Sequence, residues 1–122
     1  MRALLVEDEA LVAMIAEEAL SAMGFTHSSA RNTAEAIRHF EADAPDFALI
    51  DVGLPDGKGD DLAVRLRASA PKLRVVMASG YDAEELRRKF RHDPQVAVMA
   101  KPYTEGDLAA AARSLGFTIP GA

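Results

Sequence analysis

The chain has 122 residues, 49% apolar and 27% charged, a globular balance sized for one domain with a core of its own. Fourteen Lys and Arg against nineteen Asp and Glu leave a net charge of −5, whereas a nucleic-acid binder needs a basic excess to neutralise phosphates. The absence of Cys excludes thiolate catalysis, zinc ribbons and a disulfide framework, and is compatible with a reducing cytosol.

In chain order, Ala3 to Val6 is a short apolar run that reads as a strand buried on both faces. Leu11, Val12, Ile15, Ala16, Ala19, Leu20 and Met23 recur at helical spacing up to a stop at Gly24, which predicts an amphipathic helix with these residues on its core-facing side. Phe25 to Ala30 predicts a weaker strand at a sheet edge. Asn32 with Glu35 predicts a capped helix that turns Ile37 and Phe40 inward. Phe47 to Ile50 is a second buried strand, ending at Asp51, and Gly53 to Gly59 reads as a loop. Leu62 and Leu66 mark a helix closed before Pro71, Leu73 to Ala78 a strand, and Asp82 with Glu85 another helix start. Val96 to Ala100 is the last strand, and Thr104 with Asp107 opens a helix that stops near Gly116. No apolar run approaches the ~20 residues of a membrane span, and Glu7, Asp8 and Glu9 break the N-terminal run that a signal peptide requires. The expected location is the cytoplasm. Five strand–helix units, without internal repeats or linkers, predict an open, doubly wound parallel sheet with helices on both faces. One domain spans 1–122, with its core at about 2–116, and no output domain is expected after it.

Ligands of such sheets sit beyond the carboxyl ends of the strands. There the chain places Glu7 and Asp8, Asp51, Ser79, and Lys101 followed by Pro102. Taken singly, each has a plain explanation as a cap, a turn former or a solvated charge. Asp8, Asp51, Ser79 and Lys101 are 43, 28 and 22 positions apart, and their meeting on one rim is a stronger signal than any one of them. Two carboxylates ~4 Å apart repel by about 4 kcal/mol at an effective dielectric near 20. Three together require protons or a cation. Lys101 supplies one charge. With only hard oxygen donors at hand, the metal indicated is Mg²⁺. Carboxylate, Mg²⁺, hydroxyl and ammonium together suit phosphoryl transfer.

The strings Leu5-Val6-Glu7-Asp8-Glu9, Leu49-Ile50-Asp51-Val52-Gly53-Leu54-Pro55, Met77-Ala78-Ser79-Gly80 and Lys101-Pro102-Tyr103 resemble the receiver domain of bacterial two-component response regulators. The resemblance covers nearly the whole chain. It implies a flavodoxin-like five-stranded parallel sheet of order 2-1-3-4-5, and a phosphoryl group taken from a histidine kinase or histidine phosphotransferase. Carried across, it implies Asp51 as phosphoacceptor. Mg²⁺ would be held by Asp8, Asp51 and the Gly53 backbone carbonyl, with Glu7 acting through the metal's waters. Ser79 and Lys101 would stabilise the phosphoryl group, a cis peptide bond would precede Pro102, and Gly59 matches a family glycine.

This sequence departs from the pattern at several places. Glu7 stands for the more usual Asp, and Lys58 where an acid is common. Val98 occupies the place of an aromatic switch residue, leaving Tyr81 and Tyr103 as candidate switch aromatics. Other motifs fail. Gly53 to Gly59 lacks the spacing and the Ser or Thr of a phosphate-binding glycine loop, and Asp51 to Gly57 lacks the alternating acids of a calcium loop. His27, His39 and His92 have no ligand spacing, and Arg87, Arg88, Lys89 and Arg91 read as a solvated helix face. The leading expectation is a signalling phosphoacceptor with no enzymatic activity beyond its own phosphorylation and dephosphorylation. It would contact a downstream effector or a second copy, but neither DNA nor membrane. The alternatives are an Mg²⁺-dependent aspartyl-phosphate phosphohydrolase, disfavoured by Gly53 where such enzymes carry a second acid, and an interaction module that never takes phosphate.

Overall fold

The computed structural model describes residues 1–80 and 83–119. Its elements run β1 (Arg2–Val6), α1 (Ala10–Ala22), β2 (Thr26–Ala30), α2 (Thr33–Ala42), β3 (Phe47–Asp51), β4 (Gly53–Leu54), β5 (Gly57–Lys58), α3 (Gly59–Ser69), β6 (Arg74–Ser79), α4 (Ala83–Lys89), β7 (Val96–Ala100) and α5 (Glu105–Ser114). Five parallel strands form one sheet in the order β2-β1-β3-β6-β7. Counting the long strands alone, that is 2-1-3-4-5, the doubly wound order, with β2 at an edge as expected.

Alternation along each strand sends successive side chains to opposite faces. Ala3, Leu5, Phe47, Leu49 and Val76 meet Ala16, Ala19 and Leu20 of α1 and Leu108 and Ala112 of α5. Leu4, Val6, Ala48, Ile50, Val75 and Met77 meet Ala36 of α2 and Leu62, Ala63 and Leu66 of α3. Both faces of the central strands are therefore dry, which is why Ala3 to Val6 of β1 and Phe47 to Ile50 of β3 are unbroken apolar runs. Phe25, Phe47 and Phe117 close the first core at its amino end, with ring centroids 5.2 to 5.4 Å apart in stacked and edge-on pairs. Gly24 and Gly116 follow α1 and α5 at φ of +92° and +97°, the left-handed conformation in which glycine ends a helix without strain.

Two expectations need correcting. Leu11 and Ile15 do not face the core: they are 71% and 54% exposed, and Met14 beside them is 57% exposed. The segment is apolar at every position from Ala10 to Ala16, so its periodicity fits more than one face. The stretch after Asp51 is also more ordered than a loop. Gly53–Leu54 and Gly57–Lys58 pair as a small antiparallel hairpin.

Candidate functional site

Register places the site. Val6 of β1 pairs with Ile50 of β3, so the next residues, Glu7 and Asp51, leave the sheet side by side. Ser79 ends β6 opposite Ala100 of β7, and the Ser79 carbonyl accepts from the Lys101 backbone N–H at 2.8 Å. The Lys101–Pro102 peptide bond is cis. The Lys101 ammonium lies 3.1 Å from Glu7 Oε1 and 3.1 Å from Asp51 Oδ1. Glu7, Asp8 and Asp51 each bring a carboxylate oxygen within 4.8 Å of the others. Glu7, Asp51 and Ser79 are buried, while Asp8 is exposed.

The electrostatics follow from this crowding. Burial pushes the Glu7 carboxyl up to about 7. The Glu9 N–H, donating to Glu7 Oε2 at 3.2 Å, works against that shift, the Asp51 charge adds to it, and Lys101 opposes it. For Lys101, burial would lower the ammonium's pKa, but hydrogen bonds to Glu7 and Asp51 outweigh it and the net shift is upward. Three carboxylates around one ammonium leave excess negative charge. An oxygen-ligated divalent cation fits this donor set, with exposed Asp8 leaving a water-accessible side.

The backbone around Asp51 is tightly drawn. Gly53 N–H points at Asp51 Oδ1 at 3.4 Å, and the Val52 carbonyl accepts from Gly59 N–H at 2.9 Å. A Cβ on Gly59 would lie 2.1 Å from the Asp51 carbonyl oxygen and 2.8 Å from Val52 Cα. Backbone cannot yield there, so the start of α3 can sit against the end of β3 only because residue 59 has no side chain.

The other sequence candidates are distributed as follows. Tyr103 is half-buried and packs on the α1–α5 core. Burial, then the Glu7 charge, raises its phenol. Tyr81 and the expected helix start at Asp82 lie outside the described residues. Val98 is partly buried against the α2–α3 core. His39 and His92 are exposed, and the acid cluster contains no histidine. The basic run on α4 is exposed, with Arg87 paired to Glu84 and Lys89 to Asp60 of α3. Asp56 had no role in the sequence reading beyond its turn. Its carboxylate in fact accepts from the Thr33 and Ala34 backbone N–H groups at 2.7 and 3.1 Å.

A family model described as response regulator receiver domain matches residues 3–113. The chain belongs to that family. As a receiver domain it is a signalling module of two-component systems, a class that pairs with histidine kinases, and its cluster of Glu7, Asp8 and Asp51 is consistent with a phosphoacceptor site. Among curated relatives, this receiver domain is 30% identical over 114 residues to the sensor kinase CckA of Brucella abortus, covering 92% of this chain and 12% of that protein. It is 31% identical over 108 residues to the transcriptional regulatory protein PdtaR of Mycobacterium tuberculosis, covering 88% of this chain and 52% of the relative. The receiver domain thus spans from about an eighth to about half of these relatives. Among solved structures, the non-phosphorylated HemR receiver domain of Leptospira biflexa superposes with a TM-score of 0.81 at 26% identity, covering 99% of this chain and 98% of that one. A CheY-like receiver domain from Methanospirillum hungatei does so with a TM-score of 0.81 at 25% identity, covering 92% and 90%. Among the described residues, no helix of this receiver domain is long and apolar enough to cross a membrane.

Proposed function

We propose that Asp51 accepts a phosphoryl group from the phosphohistidine of a histidine kinase or histidine phosphotransferase, and that the modification changes which effector, or second copy of the domain, is bound. The observation that carries this reading is the Lys101 ammonium held 3.1 Å from both Glu7 and Asp51, inside a cluster completed by Asp8. In the transfer, an Asp51 oxygen forms a bond to phosphorus as the donor's N–P bond breaks, and the imidazole leaves with that electron pair. Lys101 balances charge at Asp51 beforehand and pairs with a phosphoryl oxygen afterwards. The Ser79 hydroxyl, at the neighbouring strand end, donates to another. Glu7, Asp8, Asp51 and the Gly53 carbonyl are the residues that would hold Mg²⁺, which when bound neutralises charge on the transferring group.

A second feature supports a protein donor. Leu11, Met14 and Ile15 form an exposed apolar stripe on α1, and Ile15 shares a cleft with Glu9, Val12, Lys101, Pro102 and Tyr103. Contiguous exposed apolar surface at the rim of a reactive site suits protein docking. The test is incubation with acetyl phosphate and Mg²⁺, followed by intact-mass measurement. One added phosphoryl group is expected, absent in Asp51→Asn. An unmodified wild-type mass at saturating donor would overturn the reading.

A further inference from the structure

The hairpin that follows Asp51 is too small to hold itself in place. Each strand has two residues, and its exposed tip is Pro55 and Asp56. What fixes it lies elsewhere in the chain. A helix begins with N–H groups that no preceding turn can satisfy. In α2 the Glu35 N–H goes to Asn32 Oδ1 at 2.8 Å, and the Ala36 N–H to the Asn32 carbonyl at 3.1 Å. The first two are left over, and Asp56 takes both: Oδ1 accepts from Thr33 and Oδ2 from Ala34. Such charge-assisted bonds to a helix N-terminus are among the stronger ones available at a surface. Gly57 seats closely at the same point, since a Cβ there would lie 3.3 Å from Thr33 Oγ1.

The segment that grips Asp56 also grips the other acid-bearing loop. Ala30, at the end of β2, accepts from the Glu7 backbone N–H at 3.0 Å. Residues 30–34 therefore tie the loop carrying Glu7 and Asp8 to the hairpin carrying Gly53. We propose that Asp56 is a positioning residue: by anchoring the hairpin tip to α2, it sets the Gly53 carbonyl in register with the acids as a Mg²⁺ ligand. This rests on the reading of the cluster as a Mg²⁺ site. Asp56 touches neither metal nor phosphoryl group; it acts through Gly53.

The experiment compares wild type, Asp56→Ala, Asp56→Asn and Asn32→Ala by Mg²⁺ calorimetry, thermal melting and amide exchange. Asn32→Ala is the control, because it removes the other side-chain cap of α2 and leaves the hairpin alone. Asp56→Ala is expected to weaken Mg²⁺ binding about tenfold, the scale on which groups supporting a metal ligand act, and to speed exchange at Thr33 and Ala34. Asp56→Asn, with one acceptor oxygen, should fall between Asp56→Ala and wild type. Asn32→Ala should melt earlier with wild-type Mg²⁺ affinity. Unchanged affinity in Asp56→Ala, or an equal loss in Asn32→Ala, overturns the proposal and reduces Asp56 to an ordinary cap. A wild-type domain that binds Mg²⁺ but takes no phosphate refutes the phosphoacceptor reading and leaves this one standing. One that binds no Mg²⁺ refutes both.

Discussion

At the scale of single residues, the site depends on one side chain that is absent and one that is buried. Gly59 lets α3 start against the carbonyl of Asp51, and a methyl group there would meet backbone on every near side. Gly59→Ala is expected to cost about 3 kcal/mol, the upper part of the overpacking range, and to shift the urea midpoint accordingly; a loss under about 1 kcal/mol would show that the backbone yields. Glu7 is the second case. Its carboxyl titrates at about 7 in the folded domain against an ordinary value of 4.5. The folded state therefore holds that proton more tightly, and stability falls as pH rises from 4.5 to about 7. At about 1.4 kcal/mol per pH unit, the loss is bounded at roughly 3 to 4 kcal/mol. Glu7→Gln escapes it, and Lys101 keeps Asp51 as a partner. In chelator, the variant should melt with wild type at pH 4 and above it at pH 8. A gain that does not grow with pH would contradict the assigned burial of Glu7. Glu7, Asp8, Asp51 and Lys101 were legible in the sequence because each follows an apolar run whose end marks a sheet edge. Asp56 was not, since its partners are 22 and 23 positions upstream and its neighbours read simply as a turn.

At the scale of elements, α1 carries apolar residues on two faces that the sequence shows superimposed. Ala16, Ala19 and Leu20 fill the core, while Leu11, Met14 and Ile15 remain outside. Because apolar residues lie on both faces, spacing alone could not separate the buried face from the exposed one, and Leu11 and Ile15 were expected inside. If the outer stripe receives the phosphodonor, Met14→Glu with Ile15→Glu should leave uptake from acetyl phosphate within about twofold and stability within about 0.5 kcal/mol, as for exposed positions. Transfer from a phosphorylated histidine phosphotransferase should slow at least about tenfold, the cost of losing a docking anchor. Equal rates with the protein donor would place its docking elsewhere. The hairpin β4–β5 was hidden for another reason. Strands of two residues have no periodicity to detect, and the Gly and Pro content that reads as loop also permits a tight reversal.

At the scale of the whole molecule, the sheet brings four distant strand ends to one rim, and that convergence makes separately ordinary residues a site. The parallel sheet with helices on both faces followed from five alternating units whose central strands are too apolar to face water, whereas the strand order was implied by the family resemblance. The route by which phosphorylation at Asp51 would alter another surface was less legible, because the resemblance implies a switch aromatic where Val98 lies partly buried, and Tyr103 packs on the opposite core. The central claim concerns where the phosphoryl group forms its bond. Borohydride reduces an aspartyl phosphate to homoserine, so reductive trapping after exposure to acetyl phosphate and Mg²⁺, followed by peptide mass sequencing, reads the acceptor directly. Homoserine at position 51 alone is the expected result. Trapping at Asp8, or an adduct that survives borohydride with Asp51 intact, would contradict the account.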